Sequence, residues 1–230
     1  MELKNVSVYY GRHKALDDLT VDFYNKNHII GILGENGSGK TTLVNILLKN
    51  INRFKGQRNV TESIAYMPDR SFLYENMHVS EAIRLFQKVY SDFDSKRMSE
   101  ILERFSISPE LRLHSASKGI HEQIHLALTF SRNTDFYLLD EPLAAIDPIK
   151  RKAFIEIIQR YRRKNSSVIM VTHLLRDLGD ILDEIILLRN GHLIADSPRQ
   201  ELISKYGSIE NAYIVAGESS ITASFIGIKE

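Results

Sequence analysis

Gly34-Glu35-Asn36-Gly37-Ser38-Gly39-Lys40-Thr41 is the stretch on which the reading of this chain turns. It fits the pattern G-x-x-x-x-G-K-[ST]. Immediately upstream, His28-Ile29-Ile30-Gly31-Ile32-Leu33 is a short β-branched run of the kind found in a strand buried on both faces. Downstream, Leu43, Ile46, Leu47 and Ile51 fall at helical spacing. A strand, a glycine-rich turn and a helix in that order make a cradle for phosphate. Gly34, Gly37 and Gly39 let the backbone curl, so that the N–H groups of Asn36, Ser38 and their neighbours point inward, and the helix adds its positive N-terminal end. Lys40 would neutralise the outer phosphates. The Thr41 hydroxyl would bind Mg²⁺, with Thr42 beside it at the helix start.

Working outward, Phe136-Tyr137-Leu138-Leu139 is a second buried strand, and it ends in Asp140-Glu141. A carboxylate at the end of a parallel strand can reach Mg²⁺ directly or through water, which suits Asp140. Glu141 beside it can act as general base on an attacking water. Strand 168–171 and strand 184–188 follow, with a long amphipathic helix from about 148 to 164 before them and a helical stretch over 174–181 between them. Leu3, Val6 and Val8, then Leu19, Val21 and Phe23, alternate as short antiparallel strands do. From 79 to about 132 the period turns helical, with Ile83, Phe86 and Val89 read as one face and Ile101, Leu102 and Phe105 as another. Strands alternating with helices imply a mostly parallel sheet with right-handed crossovers.

Bulk composition sets outer limits. The chain has 230 residues, 43% of them apolar, with 30 basic against 29 acidic residues for a net charge of +1. Such a balance gives no bulk attraction to nucleic acid or anionic lipid. There is no cysteine, hence no disulfide and no thiolate metal site. The N-terminus lacks the apolar core of a signal peptide, and no apolar run approaches the ~20 residues of a spanning helix. His121 and His125 stand at i, i+4 spacing, but without a firm third ligand a metal site is not expected there.

Together these motifs resemble the ATP-binding cassette family, over about residues 3–204. Asp140-Glu141-Pro142-Leu143-Ala144-Ala145-Ile146-Asp147-Pro148 is similar to that family's acidic strand end and D-loop. Ser117-Lys118-Gly119-Ile120 is similar to its signature motif, and His173 to its switch histidine. Tyr10-Gly11 stands where the family has its adenine-stacking aromatic, with Tyr9 as a competitor. The resemblance implies an α/β fold of the P-loop NTPase type, with a mostly parallel core sheet, an N-terminal antiparallel β subdomain and an inserted α-helical subdomain. It implies one domain over 1–230, with 79–132 as the insertion and 205–230 as a short extension of no legible signature.

It further implies an ATPase using ATP and Mg²⁺, with two cassettes closing head to tail around two nucleotides. Ser117 and Gly119 of one subunit would meet the γ-phosphate held by Lys40 of the other. His173 would contact that phosphate, Asp147 would link the two sites, and Tyr10 would stack on adenine. The implied partners are an integral membrane permease and a second cassette, identical or homologous, at the cytoplasmic face of the cell membrane, with no nucleic acid.

The pattern is not followed everywhere. The signature reads Ala116-Ser117-Lys118-Gly119-Ile120 where L-S-G-G-Q is common, and its S-K-G form resembles a branch of bacterial multidrug and peptide exporters. That branch implies export of a peptide or hydrophobic toxin. Asp69 stands where a glutamine is usual; it can hold Mg²⁺ or a water, but an ionised carboxylate donates no hydrogen bond. A soluble cassette ATPase acting on ribosomes or DNA, and a nucleotide-gated binding module, are the competing readings.

Overall fold

Nine consecutive residues, Glu2–Tyr10, form strand β1, whose Leu3, Val6 and Val8 are buried while Tyr9 and Tyr10 are exposed. In the computed structural model, which describes residues 1–23, 27–143, 148–173 and 181–226 and the side chains of all these except 148–150 and 218–226, β1 pairs antiparallel with β2 (His13–Asp22). The chain then enters β3 (Ile29–Leu33), buried at all five positions. Burying each Ile or Leu side chain there contributes about 1.5–3 kcal/mol. Helix α1 (Lys40–Leu47) follows. Arg58 ties its last turn to the segment beyond it: Nη1 donates to Ile46 O in the helix at 3.0 Å and to Ile51 O past its end at 2.8 Å. Arg58 lies on β4 (Lys55–Asn59), which pairs antiparallel with the free side of β1 to give a three-stranded sheet in the order β2-β1-β4. Glu62 closes this first stretch by accepting from the N-terminal ammonium at 2.9 Å.

The described chain folds as two compact units, 1–62 with 171–230 and 63–170. The second unit begins with β5 (Ile64–Met67), then α2 (Val79–Val89), α3 (Ser95–Phe105) and α4 (Lys118–Phe130). Each of the last two helices has a side-chain cap. Asp94 accepts from Arg97 N at 3.0 Å, and Ser117 accepts from Ile120 N at 3.3 Å. The face expected from Ile83, Phe86 and Val89 is only partly buried: Phe86 is 9% exposed but Val89 is 59% exposed. Six residues is one and two-thirds turns, so Val89 is rotated well off the packed stripe.

Strand β6 (Phe136–Asp140) is buried through Leu139 and pairs parallel with β5. Tyr137 stacks on Phe130 with centroids 4.6 Å apart, and its hydroxyl donates to Arg132 O at 2.6 Å. Helix α5 (Pro148–Tyr161) leads to β7 (Ser167–Thr172), which is buried throughout and lies next to β6.

The chain returns to the first unit through β8 (Glu184–Arg189), parallel to β3, and β9 (His192–Pro198), antiparallel to β8. Strand β9 went unnoticed in the sequence. So did the last two helices, α6 (Arg199–Tyr206) and α7 (Ile209–Ile226), in a segment that carried no legible signature. The helix expected over 174–181 falls, but for its last residue, outside the described residues, as do Ala144, Ala145, Ile146 and Asp147. Among the described residues, no helix is long and apolar enough to cross a membrane.

Candidate functional site

The glycine-rich loop of the first unit is built from backbone. Gly34 leaves β3 so close to β8 that a Cβ on it would run into the carbonyl oxygen of Leu188 and the Ser38 side chain. Gly37 and Gly39 have φ of +83° and +107°, and a Cβ on Gly39 would stand 2.7 Å from Ala15 O. The loop is pinned from outside as well. Gly191 N donates to Ser38 O at 2.9 Å, and Gly191 O accepts from Asp17 N at 2.9 Å. Lys40 is 7% exposed, and its ammonium donates to Gly34 O at 2.7 Å and Glu35 O at 2.9 Å. Ser38 is 3% exposed, and its hydroxyl has no hydrogen-bond partner among the described residues.

An orphaned buried hydroxyl normally costs about 1–3 kcal/mol. Here it lies in a loop whose amides and helix end favour an anion, so the residues present fit a phosphate group. Thr41 is exposed and Thr42 is buried at the start of α1. Glu35, Asn36 and Gly37 form the exposed rim.

Tyr10 is 53% exposed at the end of β1 and lines a cleft of about 790 Å³ with Tyr9, Gly11 and residues 51–55. Tyr9 and Tyr10 differ in surroundings. The ammonium groups of Lys14 and Lys55 each stand 5.7 Å from the Tyr9 ring centre, whereas Tyr10 has no ring or cation neighbour among the described residues. That leaves the Tyr10 face open for stacking. His173, one residue past β7, is exposed.

The carboxylates of the second unit are arranged by side chains. Asp69, Asp140 and Glu141 line one cavity of about 660 Å³, together with Lys118, Glu122 and His125. Tyr66, on β5, donates its hydroxyl to Asp140 Oδ2 at 3.3 Å. Burial first, and then the charge of Asp140, push the Tyr66 phenol well above its ordinary range, so it remains a donor. Glu141 has φ of +50°, in the left-handed region that a residue with a side chain rarely adopts. Such a residue costs of order 1–3 kcal/mol, and it persists where the surrounding structure enforces it.

Glu122 and Tyr66 were not singled out in the sequence. Burial raises the Glu122 carboxyl, Lys118 draws it back and Asp69 raises it further. The Lys118 ammonium stands 4.0 Å from Glu122 while its side chain remains 71% exposed. His125 is 3% exposed, and burial, then the neighbouring His121, lower its pKa to about 4. It is neutral at pH 7 and shares a hydrogen bond with Ser71 Oγ at 3.2 Å. His121 uses Nε2 on Leu113 O at 2.9 Å. Ser117 and Gly119 open α4; nothing lies within 4 Å of a Cβ placed on Gly119.

The chain as a whole has counterparts among known proteins. A family model described as ABC transporter matches residues 16–144. An uncharacterised ABC transporter ATP-binding protein of Methanocaldococcus jannaschii is 26% identical over 215 residues, covering 91% of this chain and 82% of that protein. The ribose import ATP-binding protein RbsA of Caldanaerobacter subterraneus is 26% identical over 225 residues, covering 88% of this chain and 45% of its own length. A solved ATP-binding subunit of an ABC transporter superposes with a TM-score of 0.84 at 22% identity, covering 94% of this chain and 98% of its own. It establishes the fold as that of the ABC ATPase cassette, a P-loop NTPase. The loop, the acidic strand end and the family match lead to one conclusion: the chain belongs to the ABC transporter family, as its ATP-binding subunit and ATPase.

Proposed function

We propose that this ATPase drives a separate membrane permease, working as one of a pair of cassettes at the cytoplasmic face of the cell membrane and coupling ATP hydrolysis to export. The observation that carries the proposal is the loop over 34–41. Its glycines leave no room for a Cβ at Gly34, its buried Ser38 hydroxyl lacks a partner, and its lysine is held against its own carbonyl groups.

In this reading Asn36, Gly37, Ser38 and Gly39 bind phosphate through backbone amides, and Lys40 neutralises the charge that the outer phosphates carry throughout. Tyr10 stacks on adenine, for which base–aromatic contacts elsewhere contribute about 1–3 kcal/mol. Thr41, Asp140 and Asp69 would hold Mg²⁺, which when bound would supply charge neutralisation at the phosphates. Tyr66 keeps the Asp140 carboxylate oriented. Glu141 takes a proton from the attacking water, and His173 contacts the γ-phosphate. The Ser117 hydroxyl and the start of α4 meet the nucleotide of the second cassette, with Gly119 leaving room for close approach. Asp147 links the two sites. The whole chain works as one ATPase domain, with 79–132 as its inserted helical part.

The Ser117-Lys118-Gly119 form of the signature supports export of an amphipathic peptide or hydrophobic toxin; among the relatives, RbsA is described as a ribose import protein. Co-purification from membranes, followed by mass spectrometry, should recover an integral membrane protein and a second cassette. Nucleotide-dependent uptake of peptide into inverted vesicles containing that assembly would support export. Recovery of the chain with ribosomes or DNA, and no membrane protein, would overturn the transporter role.

A further inference from the structure

The segment after residue 204 carries a buried tyrosine that reaches the phosphate loop. Helix α6 stops at Gly207, φ +79°, whose N–H donates to Ile203 O at 2.8 Å. Ser208 then starts α7. Its Oγ accepts from Asn211 N at 3.1 Å, and its carbonyl accepts from Ala212 N at 3.0 Å. The Asn211 side chain ties back to Tyr206 O at 3.1 Å. This turn fixes which face of α7 is buried: Ile209 is 5% exposed, Ala212 0% and Tyr213 4%, while Ile214 and Val215 point outward.

The Tyr213 hydroxyl accepts the N–H of Glu35 at 3.3 Å. That N–H and the carbonyl of Gly34 belong to one peptide plane, and the carbonyl takes the Lys40 ammonium at 2.7 Å. A planar trans peptide points its N–H and C=O in opposite directions, so fixing one end fixes the other. Gly34, having no Cβ, leaves this plane free to turn. From within the loop the Lys40 contact holds one side of it; Tyr213 holds the other. Tyr213 is itself held: the Arg189 guanidinium lies over its ring at 5.6 Å, and a Cβ on Gly217, one turn along α7, would overlap the Arg189 side chain.

We infer that Tyr213 is a positioning residue for Lys40, acting through the Gly34–Glu35 peptide, and that α7 is therefore a working part of the nucleotide site. The inference rests on residues 34–41 holding the phosphates. Loss of the hydroxyl frees the peptide to rotate, and the ammonium then loses its aim at bound phosphate in the ground state and the transition state alike. A uniform loss of that kind raises KM without lowering kcat.

The test is Tyr213→Phe in the full chain, with ATP turnover and ATP and AMP affinities measured beside the unaltered protein. The expected result is a KM and Kd for ATP raised about 2- to 10-fold, the range of one ordinary hydrogen bond. The kcat stays within about 2-fold, AMP affinity is unchanged because Lys40 serves the outer phosphates, and the melting temperature is unchanged. Gly217→Leu, which displaces Arg189 from the Tyr213 ring, should shift ATP affinity in the same direction. ATP affinity equal to that of the unaltered protein in Tyr213→Phe would overturn the inference, and so would equal losses for ATP and AMP together with a lowered melting temperature. Failure of the unaltered protein to bind ATP would instead remove the phosphate-loop reading on which the inference stands.

Discussion

The phosphate loop and the carboxylate cavity meet opposite demands. The loop is made of backbone, fixed by glycines against Leu188 O and Ala15 O and closed by hydrogen bonds to its own carbonyl groups. The cavity is made of side chains whose protonation is shifted by burial and by their neighbours: Glu122 is raised and His125 is lowered, and Tyr66, bonded to the cavity's Asp140, is raised as well. Binding a fixed anion calls for rigid dipoles. Moving a proton calls for groups whose charge state the surroundings can set. The first region should therefore be sensitive to shape, and the second to charge.

The largest expected effect lies in the cavity. Glu141→Gln keeps size and position but removes the proposed base, so kcat for ATP should fall about 10²- to 10⁴-fold, about 3–5 kcal/mol of barrier, while ATP binding persists. Phosphate-release and binding measurements on one preparation would show this. Near-normal turnover would remove Glu141 from that role and leave the contrast without its second half.

The complementary change in the loop is Gly34→Ala. The added methyl meets backbone at Leu188, which cannot swing aside. Overpacking of this kind costs about 1–3 kcal/mol, so the melting temperature should fall, and ATP affinity should fall with it because the methyl displaces the loop from its phosphate-binding shape. Gly119→Ala, with nothing within 4 Å of its new methyl and a helical backbone that alanine favours, should keep or slightly raise the melting temperature. Equal losses of stability in both variants would show that shape matters no more in the loop than at α4.

A third, smaller effect separates the regions by pH. His125 titrates near 4 in the folded protein against about 6.5 when unfolded. Between these values the unfolded chain binds a proton that the native protein does not. The stability conferred by a neutral His125 is therefore present above pH 6.5 and is lost as pH falls toward 4. By pH 5 the loss amounts to about 2 kcal/mol, at roughly 1.4 kcal/mol per pH unit. Urea unfolding of the parent and of His125→Gln at pH 7 and pH 5 should show their stability difference shifting by that amount in favour of the variant at the lower pH. A difference that does not change with pH would mean the cavity's charge state is not linked to its fold.

The loop and the acidic strand end were legible in the sequence because each is enforced locally. Positive φ and close approach admit little but glycine at 34, 37 and 39, and a strand buried on both faces admits little but apolar residues. Strand β4, Lys55-Gly56-Gln57-Arg58-Asn59, gave no such signal. It is exposed and polar, and what makes it a strand is its pairing with β1, including a shift in register between Lys4 and Ser7. Helix α7 mixes apolar, small and β-branched residues with no clear stripe, so its start depends on Ser208 and its placement on Tyr213. The states of Glu122 and His125 were hidden for a related reason: burial belongs to the folded cavity and not to the residue.

Glu141 sits in a backbone conformation that glycine would adopt without strain. Relief of that strain is of order 1 kcal/mol or more, so the sturdiest version of this fold has no carboxylate at position 141, where the proposed mechanism needs its base. On the proposed mechanism, durability and turnover thus pull one residue in opposite directions, and selection for thermal hardiness alone works against the base at that position.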